Sequence, residues 1–338
     1  MSEGSVKDHW IGFDLGGTKM LAQVYDADLD PLGGEGKRTK ASAGIDSGLD
    51  RIVESIRDAL ADAGVDSDQL AGIGIGCPGP VDMDRGLLLE PPNLGWSRVP
   101  IGERLTAEFG VPVRVLNDVD AGLYAEYRYG AAQDTRCCVG VFPGTGIGGG
   151  CIYKGEILNG SRGTGMGIGH IQVMPEGPLC GCGRRGCLEA VASRLAIAAN
   201  AAKAAYRGEA PHLNEAAGTD ISSIRSGVLS AAIDADDKTV RDIVREAARH
   251  IGIAVAGVIH ILSPDVIVLG GGLVEAMPDL FIEQVTRSAR KRVMSAFKDS
   301  FEVVNSQLED DAVTKGAAAW AQHKIAQQTP PIADAVTV

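Results

Sequence analysis

A stretch rich in cysteine and glycine carries the residues with the clearest chemistry. From Gly160 to Glu189 the sequence reads GSRGTGMGIGHIQVMPEGPLCGCGRRGCLE. Three thiolates and one imidazole make a closed tetrahedral zinc site, and the candidate ligands are His170, Cys180, Cys182 and Cys187. Four protein ligands leave no position for a catalytic water, so such a site is structural. The alternative is a set of ordinary reduced cysteines with a surface histidine, because Cys-x-Cys-x₄-Cys is not among the commonest zinc spacings.

The residues around this cluster suggest a second use for it. The glycines between Cys180 and Cys187 disfavour both helix and strand, so something other than backbone ladders must fix the shape of the loop, and a bound zinc ion would do so. Glu189 follows the last cysteine by two residues. A zinc-locked loop would hold this carboxylate and the free ring nitrogen of His170 over a polar ligand.

Composition limits the classes of protein to consider. The chain has 338 residues, 45% of them hydrophobic and 22% charged, which is typical of a globular protein long enough for two lobes. A net charge of −12 argues against general binding to nucleic acid or to an anionic membrane. The N-terminus lacks the apolar stretch of a signal peptide, and the seven cysteines do not form a disulfide pattern, so we expect a cytoplasmic protein.

Two glycine-rich turns between apolar segments are candidate phosphate sites. Residues 10–26 predict a hairpin whose turn exposes backbone N–H groups to a phosphate, with a carboxylate placed to take a magnesium-bound water. The residues concerned are Asp14, Gly16, Gly17, Thr18 and Lys19. A plain hairpin is an equally weighted alternative. A strand at 137–142 leads into a second such turn, with Gly144, Thr145 and Gly146.

Candidate substrate contacts lie on other loops and at a strand end. Gly79, after a strand at 70–77, would allow close approach of a ligand, and Asn93 could bind a hydroxyl or simply form a turn. Asn117 and Asp118 stand between a strand at 113–116 and a helix at 121–129. Asp118 could therefore accept a proton from a substrate hydroxyl, or it could merely cap the helix.

The remaining segments predict the frame that positions these groups. Apolar spacing predicts an amphipathic helix over 45–63 and a long packed helix over 238–262, and the alanine-rich segment 189–207 is also predicted to be helical. Residues 208–235 are predicted to form a polar connection. A buried strand precedes Gly270, Gly271 and Gly272, an opening suited to a flat ring against backbone. A last strand at 301–304, a last helix at 311–325 and a disordered tail complete the prediction.

The order of these motifs resembles the ROK family of sugar kinases and repressors, within the actin-like ATPase superfamily. The motifs are DLGGTK, the strand-end pair Asn117-Asp118, GTGIGGG, the segment from Gly169-His170 through CGCGRRGCLE, and VLGGG. They span Ile11 to about Gln322. The resemblance implies an α/β, two-lobed actin-like (ribonuclease H-like) ATPase fold with a zinc knuckle in the second lobe. The lobes would be 1–117, completed by helix 311–325, and 118–310, with 326–338 as a tail.

The resemblance also implies roles for individual residues. Asp118 matches the catalytic base, which would deprotonate a sugar hydroxyl while ATP·Mg²⁺ presents its γ-phosphoryl group in line. Residues 14–19 and 144–150 match the two phosphate loops, and Gly270 to Gly272 match the adenosine-binding turn. The positions that match sugar contacts are Gly79, Asn93, Asn117, His170 and Glu189. His170 would bind structural zinc with one ring nitrogen and the sugar with the other.

Two departures from the family pattern affect the substrate. The family usually has Glu-x-Gly-His at the zinc histidine, but here Gly167 stands in place of that sugar-binding glutamate. The familiar Asn-Asp-x-Asn ends here in Asp120. The resemblance still implies an ATP-dependent hexokinase acting on glucose, with fructose, N-acetylmannosamine or N-acetylglucosamine as alternative substrates.

A sugar-binding regulatory protein without turnover is the alternative from another class. Repressors of the family carry a winged helix-turn-helix before DLGGTK, and only about ten residues precede the motif here, so we expect no DNA binding. The expected partners are a sugar and ATP. The large lobe is expected to carry a dimerisation surface, giving a homodimer or homotetramer.

Overall fold

The computed structural model describes residues 7–40, 44–91, 94–161, 163, 165–308 and 311–328. Its contacts divide the chain into two compact units. The first contains the described residues of Met1–Arg128, Gly160–Thr164 and Leu308–Val338, and the second those of Tyr129–Asn159 and Gly165–Gln307. The predicted boundary between functional lobes after Asn117 stays a prediction, because compact units defined by contacts need not coincide with functional lobes. The predicted sugar contact Asn93 and the predicted disordered tail from Thr329 lie outside the described residues.

The first unit is built on a five-stranded sheet in the order β3-β2-β1-β4-β7. The first three strands pair antiparallel, and β4 and β7 run parallel to β1. The strands of this sheet are β1 His9–Leu15, β2 Lys19–Tyr25, β3 Pro31–Arg38, β4 Leu70–Cys77 and β7 Val113–Asn117. A separate two-stranded sheet consists of β5 Val81–Asp82 and β6 Leu87–Leu88.

Four helices accompany the first sheet. They are α1 Ile45–Ala63, α2 Ile101–Phe109, α3 Asp118–Tyr129 and α11 Ala312–Gln328. The α1 helix buries an apolar stripe that includes Leu49, Ile52 and Ile56, and it packs on β2 and β3. The α11 helix packs against β1 and β4, where a Cβ on Gly12 or Gly74 would overlap the carbonyl group of Thr314 or Ala317. Glycine at these positions lets the helix backbone rest directly on the sheet.

The second unit repeats the same sheet plan. Its order is β10-β9-β8-β11-β12, with β8, β9 and β10 antiparallel and β11 and β12 parallel to β8. The strands are β8 Cys137–Pro143, β9 Ile147–Tyr153, β10 Glu156–Ile157, β11 Val266–Leu269 and β12 Glu302–Asn305. The helices are α4 Leu188–Ala192, α5 Arg194–Tyr206, α6 Pro211–Ala217, α7 Ser226–Asp234, α8 Lys238–Leu262, α9 Gly272–Ala276 and α10 Pro278–Arg290. The long α8 helix packs against α10, α4 and α5.

The structure corrects two predictions about helices. The helix predicted over 189–207 is two helices, because the Ser193 side chain accepts a hydrogen bond from the Ala196 N–H at 3.3 Å and so caps α5. The segment 208–235 is not a plain connection, because it contains α6 and α7. Few buried apolar residues mark these short helices, and Leu213 alone is buried in α6. No helix in the described part of the chain has the length and apolar character needed to cross a membrane.

Candidate active site

In the first unit, the parallel strands bring Asp14 and Asn117 to the same end of the sheet. Asp14 in β1 is level with Gly76 in β4, and the next residue, Cys77, is level with Asn117 in β7. Asp118 then begins α3. The order of the strands therefore gathers carboxylates that are far apart in the sequence, as the carboxyl ends of parallel strands commonly do.

The Asn117 side chain holds this strand end together. Its Nδ2 donates to the carbonyl oxygens of Cys77 at 3.3 Å and Gly79 at 3.0 Å. Its Oδ1 accepts from the N–H of Val119 at 2.9 Å and that of Asp120 at 3.4 Å, which makes Asn117 the cap of α3. The predicted contact of Asn117 with a sugar stays a prediction, since its amide is already engaged here.

Asp118 is the first residue of the helix and does not cap it. Its Oδ1 accepts from the Val119 N–H at 2.9 Å. Burial raises the pKa of Asp118 to about 6, and the hydrogen bond from Val119 partly offsets this effect. Such a carboxylate is ionised at neutral pH yet basic enough to take a proton from a hydroxyl. Gly79, whose carbonyl accepts from Asn117, has a φ of 80° that favours glycine.

Asp118 lies among other acidic side chains with raised pKa values. Burial, and then the negative charge of Asp118, raises the pKa of Asp14 to about 7, while Lys19 opposes the shift. The same two causes raise the pKa of Asp120 to about 7. Ionising all three carboxyls is unfavourable without a nearby cation, so this cluster suits a divalent ion or a proton acceptor.

The first glycine turn, Gly16-Gly17-Thr18, joins β1 to β2. The N–H groups of Gly17 and Thr18 donate to no residue in the described ranges, so they are open to an anion. Thr39 is fully buried and supports the turn with two hydrogen bonds. Its hydroxyl donates to the Gly16 carbonyl at 2.6 Å, and its N–H donates to the Thr18 carbonyl at 2.9 Å. Sequence reasoning missed Thr39, because nothing in the pattern around it points to residues 16–18.

In the second unit, the two predicted nucleotide turns lie at the same end of one sheet. The turn Gly144-Thr145-Gly146 joins β8 to β9, and Gly270 to Gly272 follow β11, which is the parallel neighbour of β8. The Gly270 N–H donates to the Val141 carbonyl at 3.2 Å. A Cβ on Gly270 would lie 2.8 Å from the Phe142 ring, so only glycine fits at this position.

The Cys/His cluster predicted from the sequence is present. The four candidate ligand atoms of His170, Cys180, Cys182 and Cys187 all lie within 4.8 Å of one another. His170 Nδ1 is 3.7 Å from Cys180 Sγ, and Cys182 Sγ is 3.6 Å from Cys187 Sγ. Zn–S bonds of about 2.3 Å and Zn–N bonds of about 2.0 Å at tetrahedral angles require edges of about 3.5 to 3.8 Å. The two distances quoted match these edges, so the cluster could bind one zinc ion.

Backbone hydrogen bonds shape the loop that carries these cysteines. Between Cys180 and Cys187 there is no named helix or strand, as predicted. The Cys180 N–H donates to the Arg184 carbonyl at 2.7 Å, and the Gly183 N–H donates to the Cys180 carbonyl at 2.9 Å. Gly186 has a φ of 70°, and a Cβ there would overlap the Met174 carbonyl. The glycine spacing thus turns the loop tightly enough to converge the sulfurs.

Glu189 connects this cluster to the second glycine turn. It lies in α4, immediately after the last cysteine loop, and its Oε2 accepts from the Ile147 N–H at 3.0 Å. Its Oε1 lies 3.9 Å from Cys180 Sγ, so Glu189 and His170 flank the same sulfur. A Cβ on Gly146 would lie 2.5 Å from the carboxylate, so this approach also requires glycine. The predicted sugar contacts of His170 and Glu189 stay predictions.

Comparison with known proteins now gives the class of protein. The sequence matches the ROK family over residues 10–324. The chain belongs to the ROK family, and the resemblance stated from its motifs is confirmed.

Two relatives cover nearly the whole chain. The glucokinase of Thermotoga maritima is 32% identical over 318 residues, which are 93% of this chain and 98% of that protein. The structure of a ROK family glucokinase from Streptomyces griseus, in complex with glucose and AMPPNP, superposes with a TM-score of 0.79 at 31% identity. It covers 93% of this chain and 99% of that one. The α/β fold is therefore that of the ROK glucokinase structures, within the actin-like ATPase family.

Regulators of the family are also related to the chain. The DNA-binding transcriptional repressor Mlc of Escherichia coli is 28% identical over 271 residues. The match covers 80% of this chain and 65% of that protein. Similarity alone therefore places the chain near both enzymes and regulators.

Proposed function

We propose that this protein transfers the γ-phosphoryl group of ATP to a hydroxyl of glucose, forming glucose 6-phosphate. The observation that carries the proposal is Asp118, a partly buried carboxylate at the start of α3, ionised at neutral pH and close enough to Asp14 to raise the pKa of that residue. A regulator that only binds a sugar has no need of a carboxyl group whose pKa suits proton transfer.

The chain is an ATP-dependent sugar kinase, and this broader class is better supported than the choice of sugar. The glucokinase of Thermotoga maritima and the Streptomyces griseus enzyme with glucose and AMPPNP both match it over more than 90% of its length. Glucose is the substrate named for both, which is why we propose it here. Fructose, N-acetylmannosamine and N-acetylglucosamine are the alternative acceptors.

The proposed mechanism uses groups from each sheet. Asp118 accepts the proton of the reacting hydroxyl. The free N–H groups of the Gly16-Gly17-Thr18 turn and of the Gly144-Thr145-Gly146 turn bind phosphate oxygens, and the Gly270 to Gly272 turn receives the adenine ring. Asp14 is suited to hold a water of Mg²⁺, which would neutralise charge on the phosphates. We assign sugar binding to Gly79, Asn93, Asn117, Asp118, His170 and Glu189, because these positions match the sugar contacts of the family.

We also propose that the Cys/His cluster holds a structural zinc ion. The distances among His170, Cys180, Cys182 and Cys187 support a tetrahedral site, and four protein ligands complete it. Because α4 starts right after Cys187, a metal at this site would fix the Glu189 carboxylate against the second glycine turn. Assembly as a dimer or tetramer stays a prediction from the resemblance.

The test is release of ADP at saturating ATP·Mg²⁺ with glucose, fructose, mannose, N-acetylglucosamine and N-acetylmannosamine, each offered separately. We expect glucose to give the highest kcat/KM. Asp118→Asn should lower kcat by about 10²- to 10⁴-fold while binding of sugar and ATP persists, because the general base is lost. Asp46→Asn, which changes an exposed acid of α1, is the control and should leave turnover unchanged. Equal turnover by wild type and Asp118→Asn would contradict the mechanism.

A variant of Gly167 tests the choice of sugar. Gly167 has a φ of −68°, and nothing lies within 4 Å of the position its Cβ would occupy, so a larger residue fits without strain. Gly167→Glu restores the carboxylate that the family usually has here. It should raise kcat/KM for glucose by about tenfold if that carboxylate binds a hydroxyl pair. A rise for another sugar only would identify that sugar class as the better fit.

The absence of a carboxylate at Gly167 is also the observation that favours the second candidate, a sugar-binding regulator without turnover. Under that hypothesis the wild type binds a sugar by calorimetry but releases no ADP with any sugar of the panel. The kinase proposal then fails, and the binding result identifies the ligand.

A further inference from the structure

We propose that Arg194 binds and positions the nucleotide phosphates at the second glycine turn, a role that rests on the proposed kinase function. Arg194 is the first residue of α5, and two of its groups contact the turn. Its backbone N–H donates to the Gly144 carbonyl at 2.9 Å, and its Nη2 donates to the Thr145 hydroxyl oxygen at 3.0 Å. None of the sequence motifs includes this residue.

The hydrogen bond from Arg194 settles which way the Thr145 hydroxyl can donate. A threonine hydroxyl has one proton and two lone pairs. Because one lone pair accepts from the guanidinium group, the hydroxyl proton is directed elsewhere and remains available to an acceptor. A phosphate oxygen is such an acceptor, so Arg194 prepares Thr145 to bind it.

The charge of Arg194 is also available. In the part of the chain that the structure describes, no carboxylate lies within ion-pairing distance of its guanidinium group. A guanidinium group has five N–H donors, and only one of them is used on Thr145. The remaining donors and the full positive charge therefore adjoin a turn that is suited to an anion.

The backbone of the turn points to the same ligand. The N–H groups of Thr145 and Gly146 donate to no residue of the described ranges. The Gly144 N–H donates to the Gly146 carbonyl at 2.8 Å, which closes the turn, and Glu189 holds the Ile147 N–H just after it. Two free N–H groups, one oriented hydroxyl and one uncompensated guanidinium thus lie together at one hydrogen-bonded turn, which matches the chemistry of a nucleoside di- or triphosphate.

The experiment measures nucleotide binding by the full chain, without sugar turnover. Calorimetry with ATP·Mg²⁺, ADP·Mg²⁺ and adenosine compares wild type, Arg194→Ala, Arg194→Lys and Thr145→Val. We expect Arg194→Ala to weaken ATP·Mg²⁺ and ADP·Mg²⁺ binding by about tenfold and to leave adenosine unchanged, because a charge-assisted contact to phosphate is lost. Arg194→Lys should recover part of the loss, since it keeps the charge but not the planar donor group.

A double variant and a matched control complete the test. If Arg194 acts partly through Thr145, the loss in Arg194→Ala/Thr145→Val is smaller than the product of the two single losses. Arg207→Ala, at the exposed end of the same helix, is the control and should bind all three ligands like wild type.

Kinetics give an independent readout, and the failures are distinguishable. The KM for ATP should rise about tenfold in Arg194→Ala while the KM for sugar stays unchanged. If Arg194→Ala binds ATP·Mg²⁺ like wild type, Arg194 does not contact the phosphates. If its affinities for adenosine and ATP·Mg²⁺ fall equally and its thermal stability also falls, Arg194 is only a structural residue. If wild type itself binds no ATP·Mg²⁺, the proposed kinase function fails instead.

Discussion

The two sheets have the same plan but carry different chemistry. In each, a hairpin with a glycine-threonine turn leads to two strands parallel to the first. Two residues before the first glycine of the turn, the first sheet has Asp14 and the second has Phe142. The first sheet then gathers Asp118 and Asp120, whereas the second adds Arg194 beside the turn. One plan therefore presents acidic side chains at the strand end of the first sheet and an arginine beside the turn of the second.

The sheet topology determines where the strand ends and turns lie. The residue types at those positions determine the chemistry that each end offers. The difference between the two sheets also shows two ways to hold a turn. In the first sheet a buried hydroxyl from Thr39 supports the turn, and in the second a carboxylate from the cysteine-rich loop region supports it. The variants below separate these two arrangements, in order of decreasing effect.

The largest effect is expected in the second unit, where we propose that a metal cross-links the cysteine-rich loop. Cys187→Ser removes a buried thiol of the cluster. It should abolish stoichiometric zinc in the purified protein and lower the free energy of unfolding by about 3 kcal/mol, because the loop loses its cross-link. Metal analysis and chemical denaturation measure both quantities.

The control for this variant is wild type stripped by a chelator and then given zinc, which should recover its stability. Wild type and Cys187→Ser with the same metal content and the same unfolding midpoint would show that the cluster is a set of ordinary reduced cysteines.

A smaller effect is expected at the acidic end of the first sheet. The pKa of Asp120 is about 7 in the folded protein and near 3.8 in the unfolded chain, so Asp120 keeps its proton to a higher pH in the folded state. This group therefore costs stability as pH rises from about 4 to about 7. Asp120→Asn should stabilise the protein, by about 2 kcal/mol more at pH 8 than at pH 5.

Denaturation at both pH values measures this effect, with Asp46→Asn as the exposed control. An equal gain at pH 5 and pH 8 would mean that Asp120 does not carry a buried charge.

The smallest effect is expected at Thr39. Thr39→Val keeps the shape of the side chain but leaves the Gly16 carbonyl without the hydroxyl donor. It should cost about 1 kcal/mol of stability and raise the KM for ATP, because the first turn is less firmly held. Thr39→Ser retains the hydroxyl and should behave nearly as wild type. If Thr39→Val leaves the KM for ATP unchanged, the turn is held by its backbone alone.

Local patterns predicted much of the fold and site. The α1 and α8 helices have the predicted bounds, because long apolar stripes identify them. The metal-like cluster and the glycine turns were predictable for a similar reason, since spacing within a short segment reveals them. The family was predictable from the order of its motifs.

What the sequence did not reveal depends on contacts between distant segments. Thr39 supports a turn 23 residues away, and Arg194 supports one 49 residues away, so neither belongs to a local motif. The β3 strand was missed because its three glycines have low strand propensity. Gly33 is explained by the packing of α1, because a Cβ there would lie 2.8 Å from the Ala63 nitrogen.

The close packing of α11 on the first sheet has a consequence for synthesis on the ribosome. This helix follows all of the second unit in the chain, yet it covers β1 and β4 through Gly12 and Gly74. The second unit can fold as soon as it emerges, because all of its strands and helices are then present. The first sheet, although translated earlier, must wait with one apolar face uncovered until α11 leaves the exit tunnel. A chaperone is therefore most needed during the period in which the first sheet has been synthesised and α11 does not yet cover its apolar face.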